Sequence, residues 1–258
     1  MGIDYLIARS CPVKEELGDY FLVLAKKRAG LNFLEQVQAE HPGFTEETIF
    51  EELEETPQGI NSRKTSLAVM REEVSPLLEW DEECAECGAN FTYHSGGCWG
   101  HIPYPIPQIL EKLLLTTAQT LIVENKDHRA AEMLRPLPEA NAKTELVQGW
   151  RQNGLTELNA PLTYSWGYFF RRHSINSDQL LEIIFGHNLL EAEKLSEVTY
   201  FLEYLQRHSK AGMEKAIADN GKVAEQAQQF QELLLPYWQF IKACQVADEL
   251  EESVLLIP

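Results

Sequence analysis

Residues 84–101, CAECGANFTYHSGGCWGH, gather three of the chain's five cysteines and two of its seven histidines into eighteen positions. The β-like runs 89–95 and 98–104 flank Gly96-Gly97, a two-residue connection suited to the positive φ of a tight turn. The stretch is therefore predicted to fold as a Cys-rich hairpin. Pro103, Pro105 and Pro107 end its second arm and lead into a helix from about Gln108 to Val123. Toward the N-terminus, IDYLIA (3–8) is short, apolar and rich in strand formers. Together these segments predict a small antiparallel sheet in the N-terminal half.

The surrounding segments are predicted to be mainly helical. Pro12 opens a helical pattern carried by Leu17, Phe21, Leu24 and Ala25, and Leu31 to Glu40 reads as a second helix stopped by His41-Pro42-Gly43. Thr45 is expected to cap a third helix ending near Glu55, followed by a loop over QGINSRKTS (58–66). Leu67 to Trp80 carries a mixed signal because Pro76 interrupts it. Beyond residue 142 helices are expected over 142–153, 177–186, 190–208 and 213–250. In the last, Val223, Ala227, Phe230, Leu234, Tyr237, Ile241 and Cys244 follow steps of three and four residues and share one face. Leu195, Val198, Leu202 and Leu205 supply its mate. The fold class is thus a mostly helical α+β protein with a helical C-terminal half. RPLPEANA (135–142) is the best linker. It divides an α+β part, 1–138, from a helical part, 139–258, unless the two form one continuous domain.

The cysteine spacing carries the clearest chemistry. Cys84-Ala-Glu-Cys87-Gly is a C-x2-C-G element, in which a tight turn aims two sulfurs at one ion and the glycine relieves the turn's steric cost. Cys98 and His101 add a C-x2-H pair, so that Cys84, Cys87, Cys98 and His101 make a formally complete set for tetrahedral, structural zinc. Strand geometry qualifies the fourth position. Residues i and i+3 of a strand point to opposite faces, so Cys98 and His101 share an ion only if the chain turns at Gly100. Cys11 is the second choice for that position and His94 the third. A redox pair lacks a strand-to-helix context, and a nucleophile built on Cys98 lacks an orienting third group. The remaining reading is a hairpin with no ion.

Cys87 with Ala89-Asn90, followed by Gly97-Cys98, Gly100, Ile102 and Tyr104-Pro105-Ile106, resembles a motif of a bacterial protein family to which no activity attaches. The likeness covers about twenty residues and implies that 84–106 is one structural unit. It implies no substrate. The histidine position is not a fixed feature of that motif, which weakens His101 as a ligand and strengthens Cys11, with His101 still the first choice.

Forty acidic against twenty-two basic side chains give a net charge of −18. Such a charge repels phosphate backbones and anionic membrane surfaces, so neither nucleic acid nor membrane is an expected partner. Glu46 to Glu55, Glu72 to Glu83 and Asp248 to Glu252 hold local acidic clusters, read as solvated helix faces or as docking helices for a protein partner. The N-terminus lacks the pattern of a signal peptide, and a cytoplasmic location is expected. YSWGYFFRRHS (164–174) places aromatics beside Arg171, Arg172 and His173, and reads first as a helix–helix core with a basic end. The leading function is a non-catalytic interaction or regulatory protein with a structural zinc site. The alternative is a small-molecule enzyme with a pocket between the hairpin and residues 164–173.

Overall fold

The computed structural model describes residues 2–56, 59–92, 94–103, 105–124, 134, 145–166, 173–186, 189–219 and 223–257. The protein is mostly helical, with small antiparallel sheets. It divides into two compact units, Arg9–Trp99 and Met1–Ala8 with Gly100–Pro258. The boundary expected at 138–139, within the linker segment, falls outside the described residues.

In Arg9–Trp99, helix α1 (Pro12–Leu17) starts with proline at a position where a missing N–H costs nothing. It ends at Gly18, whose φ is +52°. The expected helix from Pro12 breaks at Gly18, and its later part joins the expected second helix in one long helix, α2 (Tyr20–Glu40), whose Phe21, Leu24, Ala25 and Leu31 keep facing the core. The predicted third helix is absent. Phe50–Thr56 and Gly59–Thr65 instead form strands β2 and β3 of an antiparallel ribbon, with Glu52 paired to Arg63 and Glu51 to Lys64. Cross-strand charge pairing overrides the helix preference of a glutamate-rich segment. Helix α3 (Leu67–Leu78) is capped by Ser66, whose side chain accepts the Val69 N–H. Pro76 lies inside it, and the Ser75 hydroxyl donates to the Glu72 carbonyl at 2.7 Å, the acceptor that proline leaves without a helical donor.

Helices α2 and α3 pack through Leu24, Leu31, Met70, Val74 and Leu77. Ion pairs join these elements. Lys27 reaches Glu73 at 2.8 Å, and Arg63 bridges Glu73 and Glu52. Arg63 and Lys27 hold the Glu73 carboxyl down to about 2. Helix α4 (Asp81–Glu86) follows and carries Cys84.

The other unit is built on a four-stranded sheet of order β4-β1-β8-β7, from Trp99–Pro103, Gly2–Ile7, Val254–Ile257 and Leu189–Leu190. Strand β1 meets the C-terminal β8 antiparallel, with Asp4 opposite Ile257 and Ile7 opposite Val254. The sheet thus ties the two ends of the chain together. Helices α5 (Gln108–Glu124), α6 (Glu145–Gln152), α7 (Ser177–Phe185), α8 (Ala192–Asp219) and α9 (Val223–Glu249) complete the unit. Leu195, Val198, Leu202 and Leu205 of α8 are buried, as are Leu234, Tyr237, Ile241 and Cys244 of α9, and the two helices pack together as their stripes predict. Helix α9 runs through Pro236 without a break in its assignment. Tyr5 meets Phe240 edge-on at 5.0 Å.

Residues 163–176 depart from the helical expectation. Thr163–Trp166 and His173–Asn176 pair as strands β5 and β6, with Tyr164 stacked on Trp166. Residues 167–172, including Arg171 and Arg172, lie outside the described residues. Asn176 caps α7 in a capping box with Gln179.

A buried ionic cluster joins three of these helices. Arg151 grips Glu111 through two nitrogens, at 2.6 and 3.2 Å, and its Nε donates to Asp178 at 2.6 Å. The Ser177 hydroxyl donates to Glu111 at 2.7 Å, and Arg151 also donates to the Leu158 carbonyl at 2.8 Å. Two carboxylates share one guanidinium in a dry setting, so losing the cation strands both. Arg151→Met is expected to lower the unfolding free energy by about 3–5 kcal/mol, measured by denaturant titration. A loss below about 1 kcal/mol contradicts this role.

Candidate metal centre

The centre lies wholly within Arg9–Trp99 and is assembled from three separated segments. Cys11, with extended backbone, is the residue before α1. Cys84 is buried in α4, and Cys87 is the residue that ends it. Cys98 is buried in the turn that precedes β4. All four line one cavity of about 30 Å³, close to the space of a single water or small ion, with Val13 and Phe21 among its apolar walls. The fifth cysteine, Cys244, is a buried member of the α9 stripe in the other unit.

Among the described residues of 87–98 the chain runs in turns and bends, and no strand forms at 89–92 or 94–95, where the first hairpin arm is predicted. Asn90 organises it. Its side-chain amide donates to the Cys84 carbonyl at 2.7 Å and to the His94 carbonyl at 2.9 Å, while its side-chain oxygen accepts the Thr92 N–H at 3.2 Å. The Asn90 N–H returns to the Cys87 carbonyl at 2.9 Å. Gly97 donates to the His94 carbonyl at 2.8 Å and accepts from Phe91 at 2.9 Å, closing the loop. These bonds satisfy the backbone of a segment that has neither helix nor ladder to do so.

Both glycines are required, for different reasons. Gly96 has φ of +74°, and its backbone N–H is directed at the Cys84 sulfur. At Gly97 there is no room. A Cβ there would collide with the side-chain oxygens of Asn90 and Thr92 and stand 2.7 Å from the His94 carbonyl.

Burial pushes the Cys98 thiol from its ordinary value of 9.0 up to about 12, with Lys14 opposing and the neighbouring Cys11, Cys87 and Cys84 sulfurs adding to the rise. Burial likewise raises Cys84, against the pull of the Gly96 N–H. Thiolates in so small a space repel each other, and a cation is what reverses that repulsion. Among the described residues, however, no group of three or more His, Cys, Asp or Glu side chains is set as it would be around a metal ion. The four cysteines are neighbours around a cavity, and all are free thiols.

The structure therefore brings together Cys84, Cys87 and Cys98 of the predicted set, and adds Cys11. His101 is a residue of strand β4, in the other unit, where its Nδ1 lies 2.8 Å from the Asp4 carboxylate. Gly100 does not make the turn that would return His101 to Cys98. It belongs to the strand and leaves room for Tyr5, whose ring a Cβ would strike, with Cε2 at 2.6 Å. His94 is exposed and does not line the cavity.

No family model, curated protein or solved structure matches this chain. The cysteine cavity is consequently read from its own chemistry. Four cysteines from three segments line it together with Glu83 and Asn90, and its size suits one ion.

Sequence reasoning overlooked the part played by Asn90, although the residue sits three positions after Cys87. An amide that bonds one carbonyl on each side of a turn looks like any other asparagine in sequence. Gly97→Ala is expected to destabilise the protein by about 1–3 kcal/mol, because the His94 carbonyl cannot move aside. Gly43→Ala, with nothing within 4 Å of the added carbon, provides the control. Equal melting temperatures for the two variants would contradict the steric reading.

Proposed function

We propose that Arg9–Trp99 is a metal-stabilised scaffold in a non-catalytic interaction protein, and that Cys11, Cys84, Cys87 and Cys98 hold one structural zinc ion. The observation that carries this reading is the convergence of four thiols on a cavity of about 30 Å³. Four protein ligands saturate a tetrahedral ion and leave no open position for a substrate. Zinc would supply the charge that turns four mutually repelling thiolates into a stable cluster. The sulfurs would close toward spacings of about 3.8 Å, as a zinc–sulfur bond of about 2.3 Å requires.

Such an ion would tie the start of α1 to α4 and to the turn before β4. Cytoplasmic conditions suit the proposal, since free thiols persist there. The net charge of −18 and the acidic segments Glu72–Glu83 and Asp248–Glu252 support a basic protein partner and disfavour nucleic acid. No described helix is long and apolar enough to cross a membrane.

Metal analysis of the purified full chain, with melts before and after chelation, tests the proposal. About one equivalent of zinc is expected, and chelation should lower the melting temperature sharply. Cys11→Ser and Cys98→Ser should lose the metal, while His101→Ala should retain it. Metal-free protein with a melt indifferent to chelator contradicts the reading. So does loss of metal in His101→Ala but not in Cys11→Ser.

Loading should also release protons, because Cys84 and Cys98 carry theirs at neutral pH in the metal-free state. Zinc affinity should accordingly fall as pH drops, as protons compete for the sulfurs. In the metal-free protein the sign is different. The Cys98 pKa is raised on folding, so its stabilising contribution is complete below pH 9 and is lost as pH rises from about 9 to about 12. Cys98→Ser should flatten that alkaline loss, measured by melts across the same range.

A further inference from the structure

The ribbon β2–β3 stands as its own two-stranded sheet, and among the described residues β2 pairs with no other strand. Alternation along β2 sorts its residues onto two faces. Glu52 and Arg63 form a half-buried ion pair that continues to Glu73. On the opposite face Ile49, Glu51 and Leu53 are exposed, Ile49 and Leu53 to 65% and 68%. An unpaired strand edge with two large apolar side chains invites a further strand.

Charge decides which strand can dock. A second copy of β2 placed antiparallel about Leu53 would set Glu51 against Glu55 and Glu52 against Glu54. Like charges directly opposite one another are destabilising, so the edge rejects itself. Strand β3 displays the accepted pattern, with Asn61, Ser62, Arg63, Lys64 and Thr65 opposite Glu54, Leu53, Glu52, Glu51 and Phe50. Among the described side chains of this strand, Glu51 stands exposed between Ile49 and Leu53, so the face offers one carboxylate flanked by two apolar groups.

We propose that the outer edge of β2 is a docking site for a basic, extended segment of a protein partner, which adds as a third antiparallel strand. A Lys or Arg of that segment lies opposite Glu51, and its apolar residues cover Ile49 and Leu53. Main-chain hydrogen bonds supply the affinity, and alternate side chains supply the selectivity. The inference rests on the reading of the chain as an interaction protein and does not depend on the metal.

A labelled peptide Lys-Val-Lys-Lys-Thr-Val, flanked by glycines and written in the antiparallel order that β3 uses, provides the probe. Fluorescence anisotropy with the metal-replete wild-type chain should show saturable binding, and hydrogen exchange should show new protection in β2. Glu51→Lys should weaken binding about tenfold or more. Proline in place of one or the other of the peptide's two central lysines, whichever directs its N–H at β2, should do the same by removing a strand donor. An absence of binding overturns the proposal. Equal binding of the proline peptide overturns it as well, by reducing the effect to unspecific charge. Dimerisation of the wild-type chain that Leu53→Lys abolishes would assign the edge to a second copy instead. Because metal content and melt are monitored in the same samples, failure of docking is separable from failure of the zinc reading.

Discussion

Four cysteines from three separated segments line one small cavity of the Arg9–Trp99 unit, and the turns that bring them there are the constraint on this part of the chain. Buried thiols are tolerated singly, as small apolar groups. Here four line one cavity, and the local backbone follows them. Gly96 accepts a positive φ so that its N–H meets the Cys84 sulfur, Gly97 lets the turn close against Asn90, and Asn90 bonds both sides of that turn. Each feature has its cause in the local geometry, and each would be superfluous in a simple surface loop.

The helical C-terminal portion was legible because its signal is redundant. The stripes of α8 and α9 each repeat a three- and four-residue step, and burial of Leu195, Val198, Leu202 and Leu205 beside Leu234, Tyr237, Ile241 and Cys244 follows from periodicity alone. Strand β1 was legible for the same reason, as a short apolar run. Its partner β8 was not. VLLI at 254–257 is too short to distinguish a strand from the end of a helix, and only pairing with β1 settles it. The ribbon β2–β3 misled in the opposite direction. Glutamate-rich sequence favours helix locally, whereas the register of Glu52 with Arg63 is a non-local fact.

The site was readable in part. Spacing alone draws Cys84 and Cys87 together, and Cys98 follows from its proximity in sequence. Cys11 lies seventy-three residues before Cys84, and its approach depends on how α1 packs in its unit. His101 was attractive because it stands three residues after Cys98. The backbone of β4 continues straight through Gly100, and Asp4 takes up the imidazole. The Arg151 cluster had no sequence signal at all. Glu111, Arg151 and Asp178 come from three helices, and nothing in their neighbours distinguishes them from surface charges.

The proposed metal site is all sulfur, with Cys11 as its fourth ligand. X-ray absorption at the zinc edge of the metal-loaded full chain measures this directly. Four sulfur scatterers at about 2.3 Å are expected, with no low-atomic-number neighbour in the shell. A shell of three sulfurs and one nitrogen at about 2.0–2.1 Å would contradict the account and place a histidine at the centre.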